Sequence, residues 1–410
     1  MEAGTKRWQA KAWPPVAPLK PRRFAVWIAA LLLLGLIAIM EPWRWSNLRP
    51  SFSSLRSNAQ RRLSFIVVGD WGSGDSGQRA VASSLDRHFR ASARRPDFVL
   101  STGDQIYPSG LSGPTDPLFH DRYTYAFTPL VRSVPWYMSL GNHDCEGDLG
   151  AMQQPGGPWA STSWTMPSRF YNITYPSAVL IVLDACNLVC AVGGNPRCAG
   201  PLARFDTPKE RALRRAQLTW LDQVLSDAPP GAWKIVSAHW ALFSQTGNGP
   251  TPGLIEHVLP ILRRHGVHVW FNGHDHSLQV LQEQGHEWPR FFVSGGGGYG
   301  LHPGMKRAAV GAAAKYNPRL AADSSRSFIE HGYMAVDLDE KRMVVTLQRA
   351  ADNTIIHTTS LTKPPRVHGA ASSAASSGRG GPNGRAAIDG EGLFSGAGVG
   401  AVSRDETANG

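Results

Sequence analysis

The chain carries almost no net charge beyond its first 62 residues. Of the total of +11, a net +9 lies in residues 1–62, where eleven Lys and Arg residues face only Glu2 and Glu41. The rest of the sequence contains no stripe of basic residues interleaved with aromatic residues. A nucleic-acid-binding surface would need such a stripe, so we expect no nucleic acid among the partners.

Cysteine is scarce, with four residues in a chain of 410. Their spacing matches no zinc-binding pattern, which disfavours a structural zinc site. Four cysteines are instead typical of an exported protein with one or two disulfides. Cys190 and Cys198 flank a Gly-Gly-Asn-Pro turn and could pair locally, while the other two cysteines are Cys145 and Cys186.

A long uncharged apolar run occupies residues 24–40. It holds seventeen residues, near the lower limit for crossing a bilayer, and six Lys or Arg residues precede it. The positive charge on this side predicts a single-pass type II membrane protein, with a cytosolic leader at 1–23 and a tether at 41–62. The remaining chain would be lumenal or extracellular, where the Asn172-Ile-Thr sequon could be glycosylated. The alternative is a cleaved signal peptide and a secreted protein.

Large apolar residues are rare in residues 362–410, which are rich in Gly, Ala and Ser. Such a segment cannot bury enough apolar area to offset its ordering entropy, so we predict a disordered tail. The folded domain is therefore predicted at residues 63–361.

Five strand-like runs share one feature, because each leads into a Gly or small residue followed by a side chain that can bind metal. They are residues 63–72 (LSFIVVGDWG), 98–107 (FVLSTGDQIY), 136–144 (WYMSLGNHD), 234–239 (KIVSAH) and 267–276 (VHVWFNGHDH). Ligands at the strand ends of one sheet can converge, and the crevice there is the usual ligand site of α/β proteins. The pattern therefore predicts an α/β fold with a two-metal centre.

The segments between these runs predict the remaining elements. Strand, helix and strand over residues 63–101, with the helix at 78–93, predict a βαβ unit of a parallel sheet. Thr207-Pro-Lys-Glu210 is typical of a capping box that opens a helix to residue 228. Further helices are predicted at 119–131 and at 251–265, the latter kinked at Pro260, with a long loop at 146–167, strands at 178–184 and 291–294, and antiparallel edge strands at 332–361.

The candidate ligands are all hard oxygen or imidazole donors. Hydrolysis of a phosphate ester at a two-metal site needs such donors, one bridging carboxylate and an open position for water. The candidates are Asp70, Asp104, Tyr107, Asn142, His239, His274 and His276.

The motifs GDWG, GDQIY, GNHD, SAH and GHDH, in this order, resemble those of the purple acid phosphatases within the calcineurin-like metallophosphoesterases. The similarity is greatest to the small tartrate-resistant type and covers residues 63–361. This resemblance implies a four-layer αββα sandwich around a dinuclear centre. It also implies a ferric ion on Asp70, Tyr107 and His276, a divalent ion (Zn, Fe or Mn) on Asn142, His239 and His274, and Asp104 bridging the two.

Tyr107 distinguishes this pattern from most of the superfamily, whose first motif is Asp-x-His. Here Gly72 follows Asp70 and Trp71, so no imidazole is available at that point. A phenolate from Tyr107 would take its place, and this hard anionic donor favours Fe(III) over softer divalent metals.

His143 and Asp144 are the predicted catalytic pair. His143 follows a candidate ligand and could give a hydrogen bond or proton to the leaving oxygen, while Asp144 orients it. The chain departs from the tartrate-resistant type at Asn248, where those relatives carry His, and at Gly253, near which they carry a cysteine. The missing cysteine favours the local Cys190–Cys198 pairing.

The resemblance implies a monomeric acid phosphatase that hydrolyses small phosphate monoesters or phosphoproteins by attack of metal-activated hydroxide. The alternative is a phosphodiesterase or nucleotide pyrophosphatase on the same fold, since substrate class depends on rim loops. A metal-loaded binding protein at the membrane surface would be expected to have lost ligands, and none is lost here.

Overall fold

The computed structural model describes residues 62–157, 163–192, 198–302, 320–321 and 325–363. The predicted leader, the anchor, nearly all of the tether and the tail beyond residue 363 lie outside these residues. Within the described ranges, no helix is both long and apolar enough to cross a membrane.

Within the described residues, fourteen strands form two seven-stranded sheets in a mixed α/β fold. In chain order the strands are β1 (Leu63–Val68), β2 (Phe98–Ser101), β3 (Trp136–Met138), β4 (Trp164–Thr165), β5 (Tyr171–Thr174), β6 (Ala178–Val182), β7 (Trp233–Ser237), β8 (Val269–Asn272), β9 (Leu278–Leu281), β10 (Arg290–Ser294), β11 (Arg326–Phe328), β12 (Gly332–Leu338), β13 (Arg342–Arg349) and β14 (Ile355–Thr362). The first sheet has the order β14-β13-β12-β1-β2-β3-β4, and the second has the order β11-β9-β10-β8-β7-β6-β5.

The ligand-bearing strands are divided between the two sheets. Strands β1 to β3 run parallel in the first sheet, whereas β7 and β8 run parallel in the second. The expectation that these strands share one sheet is therefore wrong. The sheets contact each other through apolar side chains, as in the edge-to-face pair of Phe65 and Phe271 with ring centroids 6.2 Å apart. The end of β1 also meets the end of β10, because Gly69 N donates to the Ser294 carbonyl over 2.8 Å.

The predicted βαβ unit and the strands at 178–184, 291–294 and 332–361 are confirmed. The helices are α1 (Ser76–Ala91), α2 (Asn142–Glu146), α3 (Leu149–Gln153), α4 (Ala185–Cys190), α5 (Pro208–Ser226), α6 (Pro252–His257) and α7 (Leu259–Arg264). Helix α1 buries Val81, Leu85 and Phe89 as predicted, and the chain breaks between α6 and α7 at Val258, close to the predicted kink.

Two local predictions need correction. The predicted helix at 119–131 is only a π-helical turn, His120–Thr124, and a separate 3₁₀ turn, Val131–Ser133. Pro129 lies between these turns and has no N–H to continue a helix. The predicted loop at 146–167 contains α3 and β4.

The capping box of α5 is only half formed. Thr207 accepts from Glu210 N over 3.2 Å, as expected. The Glu210 carboxylate, however, binds the Arg169 guanidinium through two contacts of 2.9 Å. The half-buried guanidinium of Arg169 thus binds the carboxylate that would otherwise accept the N–H of the N-cap residue.

All four cysteines are paired. Cys190 bonds to Cys198, which confirms the predicted local pairing, and Cys145 bonds to Cys186. The Cys145–Cys186 disulfide joins α2 to α4. The helix that carries Asn142 is therefore covalently tied to the helix that follows β6 of the second sheet.

Candidate metal centre

The candidate ligands follow the carboxyl ends of five strands. Three of them have backbone conformations that only glycine adopts readily: φ is 59° at Asp70, 54° at Asp104 and 67° at His274. A non-glycine residue in this region costs on the order of 1–3 kcal/mol. The surrounding hydrogen bonds hold these turns, since Asp70 N donates to the Gly103 carbonyl over 2.9 Å and His274 N donates to Asp70 Oδ2 over 3.0 Å.

Two glycines allow these loops to approach each other. A Cβ on Gly72 would lie 1.7 Å from the Gln105 carbonyl oxygen, and a Cβ on Gly141 would lie 2.0 Å from Asp104 Oδ1. Any side chain at either position would push the loops apart. Glycine is therefore required for the first three motifs to meet.

One group of donor atoms gathers around the Tyr107 hydroxyl. It lies 3.0 Å from Asp104 Oδ2, 3.4 Å from Asp70 Oδ1 and 3.3 Å from His276 Nε2. His276 Nε2 lies 3.3 Å from Asp70 Oδ1. The structure thus brings together the three residues expected to share one ion.

A second group gathers around the Asn142 side-chain oxygen. This atom lies 3.0 Å from His239 Nε2 and 2.9 Å from His274 Nδ1, and the two imidazole nitrogens are 3.3 Å apart. Asp104 joins the groups, because its Oδ2 lies 3.3 Å from His239 Nε2 as well as beside the Tyr107 hydroxyl. Asp104 therefore lies between the two sets of donor atoms.

Backbone carbonyls fix the orientation of two imidazoles. His239 Nδ1 lies 2.9 Å from the Thr102 carbonyl oxygen, and His276 Nδ1 lies 2.6 Å from that of Gly300. A carbonyl can only accept, so each Nδ1 carries a proton and each Nε2 is the nitrogen directed to the centre.

The electrostatics of the buried cluster favour a bound cation. Burial would raise the pKa of Asp104, but the neighbouring histidines outweigh it and hold that pKa well below its usual range. Burial would lower the pKa of His239, but the Asp104 carboxylate raises it to about 9. Burial and the Asp104 and Asp70 carboxylates raise the pKa of Tyr107 far above its usual value. A phenolate at this position therefore needs a cation beside it.

The donor set fits a metal pair. Ligand atoms of Asp70, Asp104 and His276 all lie within 4.8 Å of one another. Carboxylate, phenol and imidazole donors suit iron and divalent zinc or manganese. Cys145, Asp184 and Cys186 also lie close together, but the two sulfurs form a disulfide and offer no thiolate.

His143 lies beside this cluster, held by its backbone and its ring. Its backbone N donates to Asp104 Oδ1 over 3.0 Å, and its ring centroid is 4.5 Å from that of Tyr107. Its Nδ1 is hydrogen-bonded to the Pro108 carbonyl oxygen.

Asp144 does not orient His143, which corrects the prediction. Its fully buried carboxylate accepts backbone N–H groups of Gln105 over 2.9 Å, Ile106 over 3.1 Å and Gly141 over 2.8 Å. Burial, together with the Asp104 charge, raises the pKa of Asp144 to about 8. Asp144 therefore holds the loop that carries the ligands.

Two neighbours of the cluster, Tyr299 and His302, were not predicted from the sequence, whereas Asn248 was singled out as the residue that replaces a histidine of the tartrate-resistant relatives. Tyr299 stacks on Tyr107 with ring centroids 4.0 Å apart, and His302 stacks on His276 at 3.9 Å. Asn248 Nδ2 donates to the His274 carbonyl oxygen over 2.8 Å. Tyr299 follows four consecutive glycines, and this run, a backbone able to approach a ligand closely, was the available signal.

A family model described as calcineurin-like phosphoesterase matches residues 63–278. The human tartrate-resistant acid phosphatase type 5 is 27% identical over 344 residues, covering 81% of this chain and 97% of that protein. Purple acid phosphatase 3 of Arabidopsis thaliana is 33% identical over 268 residues, covering 61% of this chain and 70% of the relative.

A solved structure supports the fold. GAP50 of Plasmodium, described as the anchor in the inner membrane complex, matches with a TM-score of 0.59 at 19% identity. The match covers 75% of this chain and 90% of that one.

Proposed function

The chain belongs to the calcineurin-like phosphoesterases and, within them, to the purple acid phosphatases, and we propose that it hydrolyses phosphate monoesters at a centre of one ferric and one divalent ion. The family also supports the finer proposal of a four-layer αββα arrangement for the two-sheet fold.

The observation that carries this proposal is the position of the Tyr107 hydroxyl. It lies within 3.4 Å of Asp70, Asp104 and His276, in a cluster where Gly72 provides no side chain. A phenolate ligand at this point favours a hard, highly charged ion such as Fe(III). The proposed centre therefore holds two different ions rather than two equivalent softer ones.

Asp70, Tyr107 and His276 would hold the ferric ion, Asn142, His239 and His274 the divalent ion, and Asp104 both. When bound, the metal pair supplies Lewis acidity toward the phosphate and lowers the pKa of a coordinated water.

The protein's own residues position the reaction. The Thr102 and Gly300 carbonyls keep the Nε2 atoms of His239 and His276 directed to the centre. Since the Pro108 carbonyl binds His143 Nδ1, His143 Nε2 is the nitrogen that gives a hydrogen bond or proton to the leaving oxygen.

A substrate panel tests this function. Full-length protein, loaded with iron and zinc, is assayed against monoesters, diesters and nucleoside triphosphates across pH. We expect hydrolysis of monoesters to dominate at acid pH. Diesterase activity exceeding monoesterase activity would refute the proposal.

We further propose that residues 24–40 anchor the protein as a type II membrane protein. The preceding positive charge and the disulfides support export. Asn172 of the sequon is exposed on β5, where a glycan could be attached.

A further inference from the structure

Tyr299 is held rigidly at the edge of the candidate metal centre. It follows β10 and the glycines 295–298, and its backbone N donates to the Asp70 carbonyl oxygen over 3.0 Å. Nearby, Gly297 N donates to the Gly69 carbonyl over 3.0 Å, so the segment is fixed to the turn after β1. The position of the Tyr299 ring therefore depends on the same turn that presents Asp70.

The Tyr299 ring presents an exposed aromatic surface. Its inner face lies nearly parallel to Tyr107, with an interplanar angle of 8°. Tyr299 is 40% exposed, whereas Tyr107 is only 3% exposed. Because Tyr107 covers one face, the exposed area of Tyr299 belongs to the opposite face and the ring edges.

This surface adjoins both the metal ligands and His143. The Tyr299 ring centroid is 5.3 Å from that of His276 and 6.3 Å from that of His143. A phosphate on the metal centre would place its ester group within reach of this ring, on the side where His143 meets the leaving oxygen.

We propose that Tyr299 forms a subsite for planar aromatic leaving groups, so that aryl phosphate monoesters are favoured over alkyl ones. The inference rests on the proposed phosphatase function. An aryl ring can stack on the exposed face, whereas a short alkyl group has no π-face and covers little of it. An aromatic pair of this kind changes affinity about 2- to 12-fold.

The test compares Tyr299→Leu with wild-type full-length, metal-loaded enzyme on phenyl phosphate and ethyl phosphate. We expect kcat/KM for phenyl phosphate to fall about 2- to 12-fold and that for ethyl phosphate to change less than twofold. The ratio of the two values in one preparation cancels any loss of folded or metal-loaded enzyme. Tyr299→Phe should keep the wild-type ratio, as should Tyr125→Leu, which alters an exposed tyrosine whose ring contacts His120.

A binding measurement separates failure of the subsite from failure of the proposed function. If wild-type enzyme hydrolyses neither ester, the proposed function is wrong, but calorimetry with phenylphosphonate and methylphosphonate still tests the subsite. Tyr299→Leu should weaken the binding of phenylphosphonate by about 2- to 12-fold and leave the binding of methylphosphonate unchanged. Equal effects on both phosphonates, or no effect on either, would mean that Tyr299 only covers Tyr107, and the subsite would be rejected.

Discussion

Asp144 Oδ1 accepts the backbone N–H of Gln105 over 2.9 Å and so joins α2 to the loop that carries Asp104 and Tyr107. The same carboxylate also binds the N–H groups of Ile106 and Gly141. One buried side chain thus sets the spacing between the second and third ligand motifs.

Asp144→Ala should strongly destabilise the protein. It would leave three buried N–H groups without their acceptor, and one such group costs about 1–3 kcal/mol. We expect the free energy of unfolding to fall by about 3 kcal/mol or more in denaturant titrations. Asp144→Asn keeps one acceptor oxygen, so its free energy of unfolding should fall less. The free energy of unfolding of the exposed control Asp121→Ala should stay within about 0.5 kcal/mol of the wild-type value. An Asp144→Ala protein of wild-type stability would contradict this structural role.

His143→Ala should lower kcat by about 10²–10⁴ for alkyl phosphates, the usual effect of losing a general acid. Activated aryl phosphates should lose much less, because their leaving groups need little protonation. Steady-state kinetics on ethyl and p-nitrophenyl phosphate, together with metal analysis, make the comparison. His286→Ala, an exposed histidine in another loop, serves as control. Equal losses on both esters with reduced metal content would show that His143 only supports Asn142.

His268 should make the fold sensitive to acid. Its ring packs between Trp233 and Trp288, and burial, with the nearby Lys363 and Lys234 charges, lowers its pKa to about 3. Between pH 6.5 and 3 the unfolded chain binds a proton that the native state does not, so stability falls as pH falls. At pH 4 the loss should be on the order of 3 kcal/mol relative to pH 7.

His268→Gln tests this contribution, since glutamine keeps an acceptor for Lys234 N but does not titrate. The difference in free energy of unfolding between wild type and His268→Gln should become smaller as the pH falls from 7 to 4. Parallel pH profiles for variant and wild type would show that His268 is not responsible.

The membrane topology can be tested on microsomes. If residues 24–40 form a type II anchor, residues 63–361 should resist external protease, and Asn172→Gln should remove a glycan seen as a mobility shift. Digestion of this region from the cytosolic side would contradict the topology, and a mature N-terminus just after Met40 would indicate a cleaved signal.

The strand ends and their ligands could be predicted because each motif is local in sequence. Buried β-branched runs followed by Gly and a polar residue specify both the strand and its tip. Local motifs alone were therefore enough to identify three candidate ligands, Asp70, Asp104 and Asn142.

Sheet membership could not be predicted in this way. Strand β1 pairs with β12, which is more than 250 residues away in sequence. Nothing in the sequence of either strand identifies the strand with which it pairs. The interactions of Asp144 and Tyr299 were missed for the same reason. Their partners, Gln105 and Tyr107, come from a different loop and meet them only in the folded protein.

Tyr107 is proposed to bind iron in a mixed-metal phosphatase centre. The most direct test is the visible absorption spectrum and metal content of active wild-type protein and of Tyr107→Phe, with Tyr125→Phe as control. We predict iron in the active wild-type protein, a pink to purple charge-transfer band, and loss of that band in Tyr107→Phe alone with the fold retained. Active protein without iron, or a band that persists in Tyr107→Phe, would contradict the account.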